Sequence, residues 1–325
     1  MSERTILAVC GGVGGAKLAL GLYRARAPHR LVLCVNTGDD FEHLGLHVSP
    51  DLDTVMYTLA GLENPETGWG RRGETWTFMR AVEALGGETW FRLGDGDLAT
   101  HVERTRRLAR GETLSAITGD LARRLGIEAA LLPMSDDPVR TAVETAEGIL
   151  PFQRYFVARR CEPAVRRILF EGAARAKPQP GIMSALRSPD LGAVVICPSN
   201  PYLSIDPILA MPSLRQALAD CAAPVVAVSP VIGGRAVKGP TAKIMAELGI
   251  PLTQASIARH YDGLIDGIVI DKADQSEAAS LPVTVRTTET LMTSLEDRER
   301  LAREVLDFAG SLARRTRIKE TSRAP

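Results

Sequence analysis

Short apolar runs alternate along the chain with segments whose apolar residues recur every three or four positions. The run TILAVC at residues 5–10 leads into a glycine-rich stretch and then into helical spacing, and a second buried run follows at residues 31–35. A strand, a helix and a second strand in so short a span are the opening of a parallel βαβ unit. The pattern therefore predicts a parallel sheet whose first loop follows the first run.

Four further apolar runs predict strands in the second half of the chain. Two of them end in CPSNP and SPVIGG, and two lie at residues 267–271 and 283–286, before a closing helix at residues 295–314. Continuous apolar runs that end in proline, serine, asparagine or glycine are typical of central parallel strands that lead into loops. These runs are therefore expected to extend the same sheet.

The segment between about residues 54 and 175 has mainly helical spacing, with short strands expected at residues 90–93 and 129–132. We therefore predict a single α/β domain over residues 1–325, with a doubly wound, mostly parallel Rossmann-like sheet and a helical insertion. The charged tail at residues 315–325 is predicted to be frayed.

Composition narrows the range of partners. The chain carries 39 basic and 39 acidic residues, so it has no net charge to attract nucleic acid or an anionic membrane, and any anion site must be local. Its five cysteines form no CxxC pair, which argues against a zinc site or a disulfide framework. The first residues lack the pattern of a signal peptide, and no apolar run is long enough to cross a membrane. We expect a cytoplasmic protein.

The glycine loop GGVGGAK separates the first strand from the first helix. Its glycines leave backbone N–H groups unhindered beside a helix N-terminus, where they can bind phosphate oxygens. The spacing matches neither the dinucleotide fingerprint nor the phosphate loop of nucleoside triphosphatases. We predict a nucleotide diphosphate site, although the same glycines would also suit a tight turn that serves packing only. The candidate residues are Gly11, Gly12, Gly14, Gly15 and Lys17.

Four aspartates follow the second predicted strand, namely Asp39, Asp40, Asp51 and Asp53. Such carboxylates can hold Mg²⁺, which favours carboxylate oxygens and keeps water and substrate phosphates as its other ligands. One of them could instead orient or deprotonate an attacking hydroxyl. The run SPDLDT also precedes helical spacing, so Asp51 or Asp53 is equally a candidate helix cap. Capping and ligand binding can coexist at the carboxyl edge of a sheet.

Two further segments carry polar candidates. Arg92, in RLGDGDLATH, could bind a phosphate or a polar ring edge. His101 in the same segment has helical spacing, and we interpret it as a structural histidine. Asp136 and Asp137 precede a proline, and we interpret them as a solvated turn, with a phosphate or metal role for either of them as the alternative.

Polar residues also follow two strands of the second half. Ser199 and Asn200, in CPSNP, lie where a base or phosphate would face the glycine loop. The loop SPVIGGRAVKGPTAK adds Lys238 and Lys243. A purely structural turn is the alternative for both segments, but their position at two consecutive strand ends favours ligand binding.

Several of these segments together resemble one known family. They are similar to motifs of the CofD/FbiA family, the 2-phospho-L-lactate transferases of coenzyme F-420 biosynthesis, from about residue 6 to residue 293. The resemblance implies that a phospholactyl group, or its phosphoenolpyruvyl relative, passes from a guanosine diphosphate conjugate to the ribityl hydroxyl of the deazaflavin Fo, releasing GMP with Mg²⁺ present. It also implies a homodimer. The segments are GGVGGAKL, NTGDDFEHLGLHVSPDLDTVMYTL, RLGDGDLATH, LLPMSDDPV, ICPSNP and AVSPVIGG.

The resemblance also implies roles for individual residues. Asp53 and Arg92 would contact Fo, and Asp53 would orient the attacking hydroxyl or coordinate the metal. Asp51 would be its neighbour in catalysis and in metal binding. The remaining candidates would face the guanosine diphosphate part, and they are the glycine loop, Lys17 or Lys238 as counter-charges, and the turn of Ser199, Asn200 and Pro201.

The identity of the three-carbon group that the donor carries is left undecided. The loop reads GGVGG rather than GGTGT, which looks closer to bacterial members with phosphoenolpyruvyl donors, but this loop should contact phosphates. Phospholactyl, phosphoenolpyruvyl and phosphoglyceryl donors therefore all remain. The main alternative function is a non-catalytic nucleotide-sugar-binding regulator of the same superfamily, which would not need an Fo pocket. An NAD-dependent dehydrogenase is disfavoured because the dinucleotide fingerprint is missing.

Overall fold

The computed structural model describes residues 4–312. Residues 1–3 and 313–325 lie outside the described part of the chain. The second of these ranges includes the tail predicted to be frayed. The strands, in chain order, are β1 (Thr5–Cys10), β2 (Leu31–Val35), β3 (Phe41–His43), β4 (Leu46–Val48), β5 (Ala130–Pro133), β6 (Arg140–Thr145), β7 (Gly148–Pro151), β8 (Arg167–Glu171), β9 (Leu191–Ile196), β10 (Val225–Val228), β11 (Val231–Ile232), β12 (Arg235–Ala236), β13 (Gly267–Asp271) and β14 (Thr284–Thr288).

Seven of these strands form one parallel sheet, in the order β14-β13-β10-β9-β1-β2-β5. From β1 the chain adds β2 and β5 on one side, and it then returns to add β9, β10, β13 and β14 on the other side. The switch point between β1 and β9 is where open α/β sheets bind ligands, at the carboxyl ends of the strands. The predicted doubly wound, Rossmann-like α/β fold is therefore confirmed.

Helices cover both faces of this sheet. Residues of α1 and α11 pack in one apolar layer, and residues of α6, α8 and α10 pack in the other. With both faces covered, the strands are apolar throughout, which explains the continuous apolar runs in the sequence. The helices, in chain order, are α1 (Gly12–Ala25), α2 (Pro50–Leu59), α3 (Thr77–Ala84), α4 (Asp95–Leu108), α5 (Leu114–Arg124), α6 (Pro180–Arg187), α7 (Asp206–Leu209), α8 (Pro212–Asp220), α9 (Thr241–Glu247), α10 (Gln254–His260) and α11 (Leu295–Ser311).

The segment at residues 54–175, predicted to be mainly helical, has its α-helices before residue 125, and beyond them its one helical element is the short turn at Arg154–Ala158. Helices occupy it up to Arg124, but β5 then joins the central sheet, and β6, β7 and β8 form a separate antiparallel sheet. Thr141 and Thr145 of β6 are buried. Threonine is β-branched and favours a strand, but its polarity interrupts the apolar run by which a strand is found in sequence.

Two short strands were predicted inside that segment. The one at residues 129–132 is present as β5, whereas residues 90–93 form a loop. In that loop Trp90 and Phe91 pack with Phe41 and His43 at ring-centroid distances of 4.8 to 5.9 Å. The apolar character that suggested a strand therefore belongs to an aromatic cluster.

Within residues 4–312, no helix combines the length and the apolar character that crossing a bilayer requires.

The close packing of α1 against the loop after β9 gives a test of the fold. A Cβ at Gly14 would lie 2.3 Å from the carbonyl oxygen of Pro198, whereas a Cβ at Gly119 in α5 would meet no atom within 4 Å. We expect Gly14→Ala to lower the free energy of unfolding by about 1–3 kcal/mol, since backbone must shift to admit the methyl group. Gly119→Ala should raise it by roughly 0.5–1 kcal/mol, because alanine is the better helix former. Urea unfolding of both variants checks this, and equal stabilities would contradict the packing.

Candidate active site

A cavity of about 680 Å³ opens at the carboxyl edge of the sheet, over the switch point. Its wall brings together most of the residues predicted from sequence, although they lie far apart along the chain. Gly15, Asp40, Pro201 and Lys243 are not part of the wall. The predicted residues that line it are Gly11, Gly12, Gly14, Lys17, Asp39, Asp51, Asp53, Arg92, His101, Ser199, Asn200 and Lys238.

The glycines of the first loop serve close packing. A Cβ at Gly11 would lie 2.3 Å from Oδ2 of Asp51, and a Cβ at Gly15 would lie 2.4 Å from Oγ of Ser199. The Gly12 N–H donates to Oδ1 of Asp51 at 2.8 Å, and the Gly11 N–H donates to Oγ of Ser199 at 3.2 Å. The glycines are therefore required so that a carboxylate and a serine can reach the backbone.

The same loop also suits a phosphate. The first turn of a helix leaves its N–H groups without partners inside the helix, and Val13 and Gly14, in the first turn of α1, both line the cavity. These N–H groups and the helix dipole favour an anion at this position. The packing role and the predicted phosphate role are thus compatible.

Two buried carboxylates, Asp39 and Asp51, line the cavity next to this loop. Burial raises the pKa of Asp51 to about 6, although hydrogen bonds from Asn36 and from the Gly12 N–H oppose the shift. Burial, and then the neighbouring Asp51, raise the pKa of Asp39 well above its usual range. Oδ1 of Asp39 is buried without a hydrogen-bond partner. A buried, unpartnered carboxylate oxygen beside a second carboxylate fits a hard divalent cation such as Mg²⁺.

Asp53 has a different environment. Both of its carboxylate oxygens accept hydrogen bonds from the guanidinium of Arg104, to Oδ1 from one nitrogen and to Oδ2 from the other at 3.1 Å. Both side chains are buried. Because a guanidinium already neutralises this carboxylate, the predicted metal role fits Asp39 and Asp51 better than Asp53. Asp53 still faces the cavity, as an acceptor with a fixed orientation.

Helix α4 extends the network around Asp53. Arg104 also donates to Nδ1 of His101 at 3.3 Å, and Nε2 of His101 lies 3.3 Å from Oδ2 of Asp97. The Tyr57 hydroxyl donates to Oδ1 of Asp97 at 2.7 Å. Asp53, Asp97 and His101 are close enough to share a metal ion. However, the guanidinium of Arg104 contacts both Asp53 and Nδ1 of His101. Its positive charge opposes the binding of a cation between them.

Asp97 and Arg104 were missed by the sequence analysis, and His101 was interpreted as structural. His101 is 1% exposed and is held by the network, as a structural histidine would be, but it also lines the cavity. Residues 97, 101 and 104 recur at helical spacing, so all three side chains lie on one face of α4. This spacing is the signal in the sequence that could have identified them as a group.

Cationic groups occupy another part of the wall. The ammonium of Lys17 donates to the Met292 carbonyl at 2.8 Å, and that of Lys238 donates to the Thr67 carbonyl at 3.0 Å. Burial, and then the charges of Arg298 and Lys238, lower the pKa of Lys17. A bound anion would relieve this crowding of positive charge. The cavity is therefore lined both by buried carboxylates and by cationic side chains.

The other predicted residues are positioned as follows. The Arg92 guanidinium stacks 4.3 Å from the ring centroid of Trp76. Oδ1 of Asn200 accepts the N–H groups of Tyr202 and Leu203 and so caps the helical turn that Pro201 begins. Asp136 and Asp137 accept hydrogen bonds from Ser115 and Lys177 in an exposed turn, and Lys243 bonds to Glu247 and to the Pro163 carbonyl.

The fold and this site define a Rossmann-like α/β protein whose switch-point cavity combines a glycine loop, buried carboxylates and lysines. A sequence model of the family described as 2-phospho-L-lactate transferase CofD matches residues 6–307. The chain therefore belongs to the CofD family, and it is a transferase of that family.

Individual relatives agree with this assignment. A phosphoenolpyruvate transferase from Streptomyces griseus subsp. griseus is 42% identical over 313 residues, which cover 94% of this chain and 98% of the relative. A 2-phospho-L-lactate transferase from Methanocaldococcus jannaschii is 37% identical over 311 residues, which cover 94% of this chain and 99% of the relative. The crystal structure of a UPF0052 family protein from Bacillus halodurans is similar to that of this chain, with a TM-score of 0.61. The match covers 94% of this chain and 99% of that chain at 15% sequence identity. This likeness concerns the fold alone.

The pairing of Arg104 with Asp53 can be tested through stability. We expect Arg104→Met to lower the free energy of unfolding by about 3–5 kcal/mol, because it leaves the buried carboxylate of Asp53 uncompensated. The matched control is Arg106→Met on the same helix, which removes an exposed pair with Glu103 and should change stability little. Urea unfolding at neutral pH measures both. Similar losses in the two variants would mean that the Asp53–Arg104 pair is not buried as described.

Proposed function

We propose that the protein transfers a 2-phospholactyl or phosphoenolpyruvyl group from a guanosine diphosphate conjugate to the terminal ribityl hydroxyl of the deazaflavin Fo, in coenzyme F-420 biosynthesis. In this reaction the hydroxyl oxygen bonds to the distal phosphorus of the diphosphate, and the bond from that phosphorus to the bridging oxygen breaks. GMP leaves with the bridging oxygen, and the hydroxyl loses its proton. The names of the relatives support the transferred group, and the combination of carboxylates, glycine loop and lysines in one cavity supports the reaction class.

The phosphates of the donor would lie at the first turn of α1. There they could accept from the N–H groups of Val13 and Gly14, both of which line the cavity. Lys17 and Lys238 would supply positive charge from the same wall. Phosphoryl transfer needs alignment of the reacting oxygens and neutralisation of charge on the phosphate, rather than covalent chemistry by the protein.

A divalent cation would be held by Asp39 and Asp51. Their buried carboxylates and the unpartnered Oδ1 of Asp39 support this assignment, which replaces Asp53 by Asp39 in the expected pair of ligands. Bound Mg²⁺ would neutralise charge on the phosphate oxygens.

Asp53 would orient the attacking hydroxyl. Arg104 fixes both of its oxygens, and each carboxylate oxygen has a further lone pair that can accept a hydrogen bond. Asp97, whose carboxylate lies close to that of Asp53, and Arg92 also line the cavity and would contact the polar groups of Fo. Phe91, Phe152 and Phe156 also line the cavity, and Phe152 stacks on Phe156 at 5.3 Å. These rings suit a flat, largely apolar ring system.

The proposal is tested by incubating the protein with Fo, Mg²⁺ and each of the three guanosine diphosphate conjugates, which carry phospholactyl, phosphoenolpyruvyl or phosphoglyceryl groups. We expect GMP release and a deazaflavin product whose mass identifies the transferred group. Asp53→Asn should lower kcat by roughly 100-fold, because a misplaced nucleophile costs about that much. Asp136→Asn removes the same charge from an exposed turn and should leave kcat unchanged.

The melting temperature of Asp53→Asn is measured first, because the substitution leaves Arg104 without its carboxylate. A folded Asp53→Asn variant with near-normal turnover would remove Asp53 from the mechanism. Absence of product with every donor, together with absence of Fo binding, would favour the nucleotide-sugar-binding regulator instead.

A further inference from the structure

The mouth of the cavity carries large apolar side chains that are open to water. Within residues 4–312, Trp69, Val237 and Leu291 are 55%, 50% and 48% exposed, and all three line the cavity. They come from three separate loops, which follow α2, β12 and β14. Exposed apolar side chains gathered around a cavity are typical of a ligand-binding surface, whereas scattered ones are ordinary.

Trp69 lies at the phosphate end of the cavity. A Cβ at the preceding residue, Gly68, would lie 2.6 Å from a methyl carbon of Val13 and 3.3 Å from the ammonium of Lys238. That ammonium donates to the carbonyl of Thr67. The loop of Trp69 is therefore in contact with the first turn of α1 and with one of the lysines.

The indole of Trp69 differs from the other two indoles of the chain. The ring of Trp76 is covered by the guanidinium of Arg92 at 4.3 Å, and the ring of Trp90 by that of Arg154 at 4.2 Å. For Trp69, no aromatic ring or cation stacks on the indole among the residues that the structure describes. Because Trp69 is also 55% exposed, its indole can stack on a ligand.

We propose that Trp69, which lines the cavity together with Val237 and Leu291, is the stacking surface for the purine ring of the nucleoside diphosphate donor. The inference rests on the proposed function for the presence of such a donor. The loop of Trp69 contacts the first turn of α1, so the indole is within reach of a base that is joined through its ribose to a diphosphate bound at that turn. Phe152 and Phe156 stack on each other, and the amide of Gln153, next to Phe152 in the chain, donates to the Asp39 carbonyl at 3.3 Å. These two rings and Phe91 also line the cavity and are left for the acceptor.

Binding measurements on the full chain test the proposal without turnover. GDP and inorganic pyrophosphate are the two probes, because they share the diphosphate but only GDP carries a base. We expect Trp69→Ala to raise the Kd for GDP about tenfold or more, the usual effect of losing one base–aromatic stack. The Kd for pyrophosphate and the Kd for Fo should not change. Trp69→Phe should retain most of the GDP affinity, and Leu85→Ala, which removes an 88% exposed apolar side chain outside the cavity wall, should behave as the wild type.

Three results would overturn the proposal. Equal weakening of GDP and pyrophosphate would mean that Trp69 acts through the glycine loop. Selective loss of Fo affinity would move Trp69 to the acceptor site, and absence of GDP binding by the wild type would remove the nucleotide itself. A protein that binds GDP through Trp69 but transfers nothing would support this inference and contradict the proposed reaction, so the two failures are distinguishable.

Discussion

The carboxylate of Asp51 joins the segments on which the cavity depends. One oxygen accepts the N–H of Gly12 at the start of α1, and the other accepts the amide of Asn36 after β2. The same amide of Asn36 donates to the Leu203 carbonyl in the turn after β9. Two polar side chains therefore hold together the ends of the three strands around the switch point. This arrangement leaves no room for a side chain at Gly11.

The same carboxylate carries an electrostatic cost. Asp51 and Asp39 are buried together, and the pKa of each is raised because burial disfavours the charged form. Lys17, on another part of the wall, has a lowered pKa for the corresponding reason. Groups whose pKa values are shifted in this way are common at functional sites. A ligand that brings both a cation and phosphate oxygens would relieve both kinds of crowding at once, and a metal-bound diphosphate has this composition.

The sequence predicted the central architecture because the signals that specify it are local. The apolar run of β1, the glycine loop and the helical spacing of α1 are contiguous, and buried parallel strands are apolar throughout. The antiparallel sheet escaped prediction because Thr141 and Thr145 supply buried strand positions with polar residues.

Most of the candidate residues predicted from the sequence line one cavity, but the contacts among them were not predicted. The strand ends brought the glycine loop, the aspartates and CPSNP to one edge, as parallel topology requires. The partner of Asp53 was not predictable in this way, because Arg104 lies 51 residues further along the chain. Trp69 belongs to a loop without periodic pattern, and only the contacts of Gly68 place it beside α1. Tertiary contacts of this kind leave no mark on local spacing.

Asp39 and Asp51 are proposed here as the cation site of a diphosphate cavity. The most direct measurement is the anomalous scattering of Mn²⁺ in crystals of the protein grown with GDP. We expect a peak between the carboxylates of Asp39 and Asp51, in contact with the phosphates at the first turn of α1. A peak among Asp53, Asp97 and His101 instead, or phosphates bound away from α1, would contradict it.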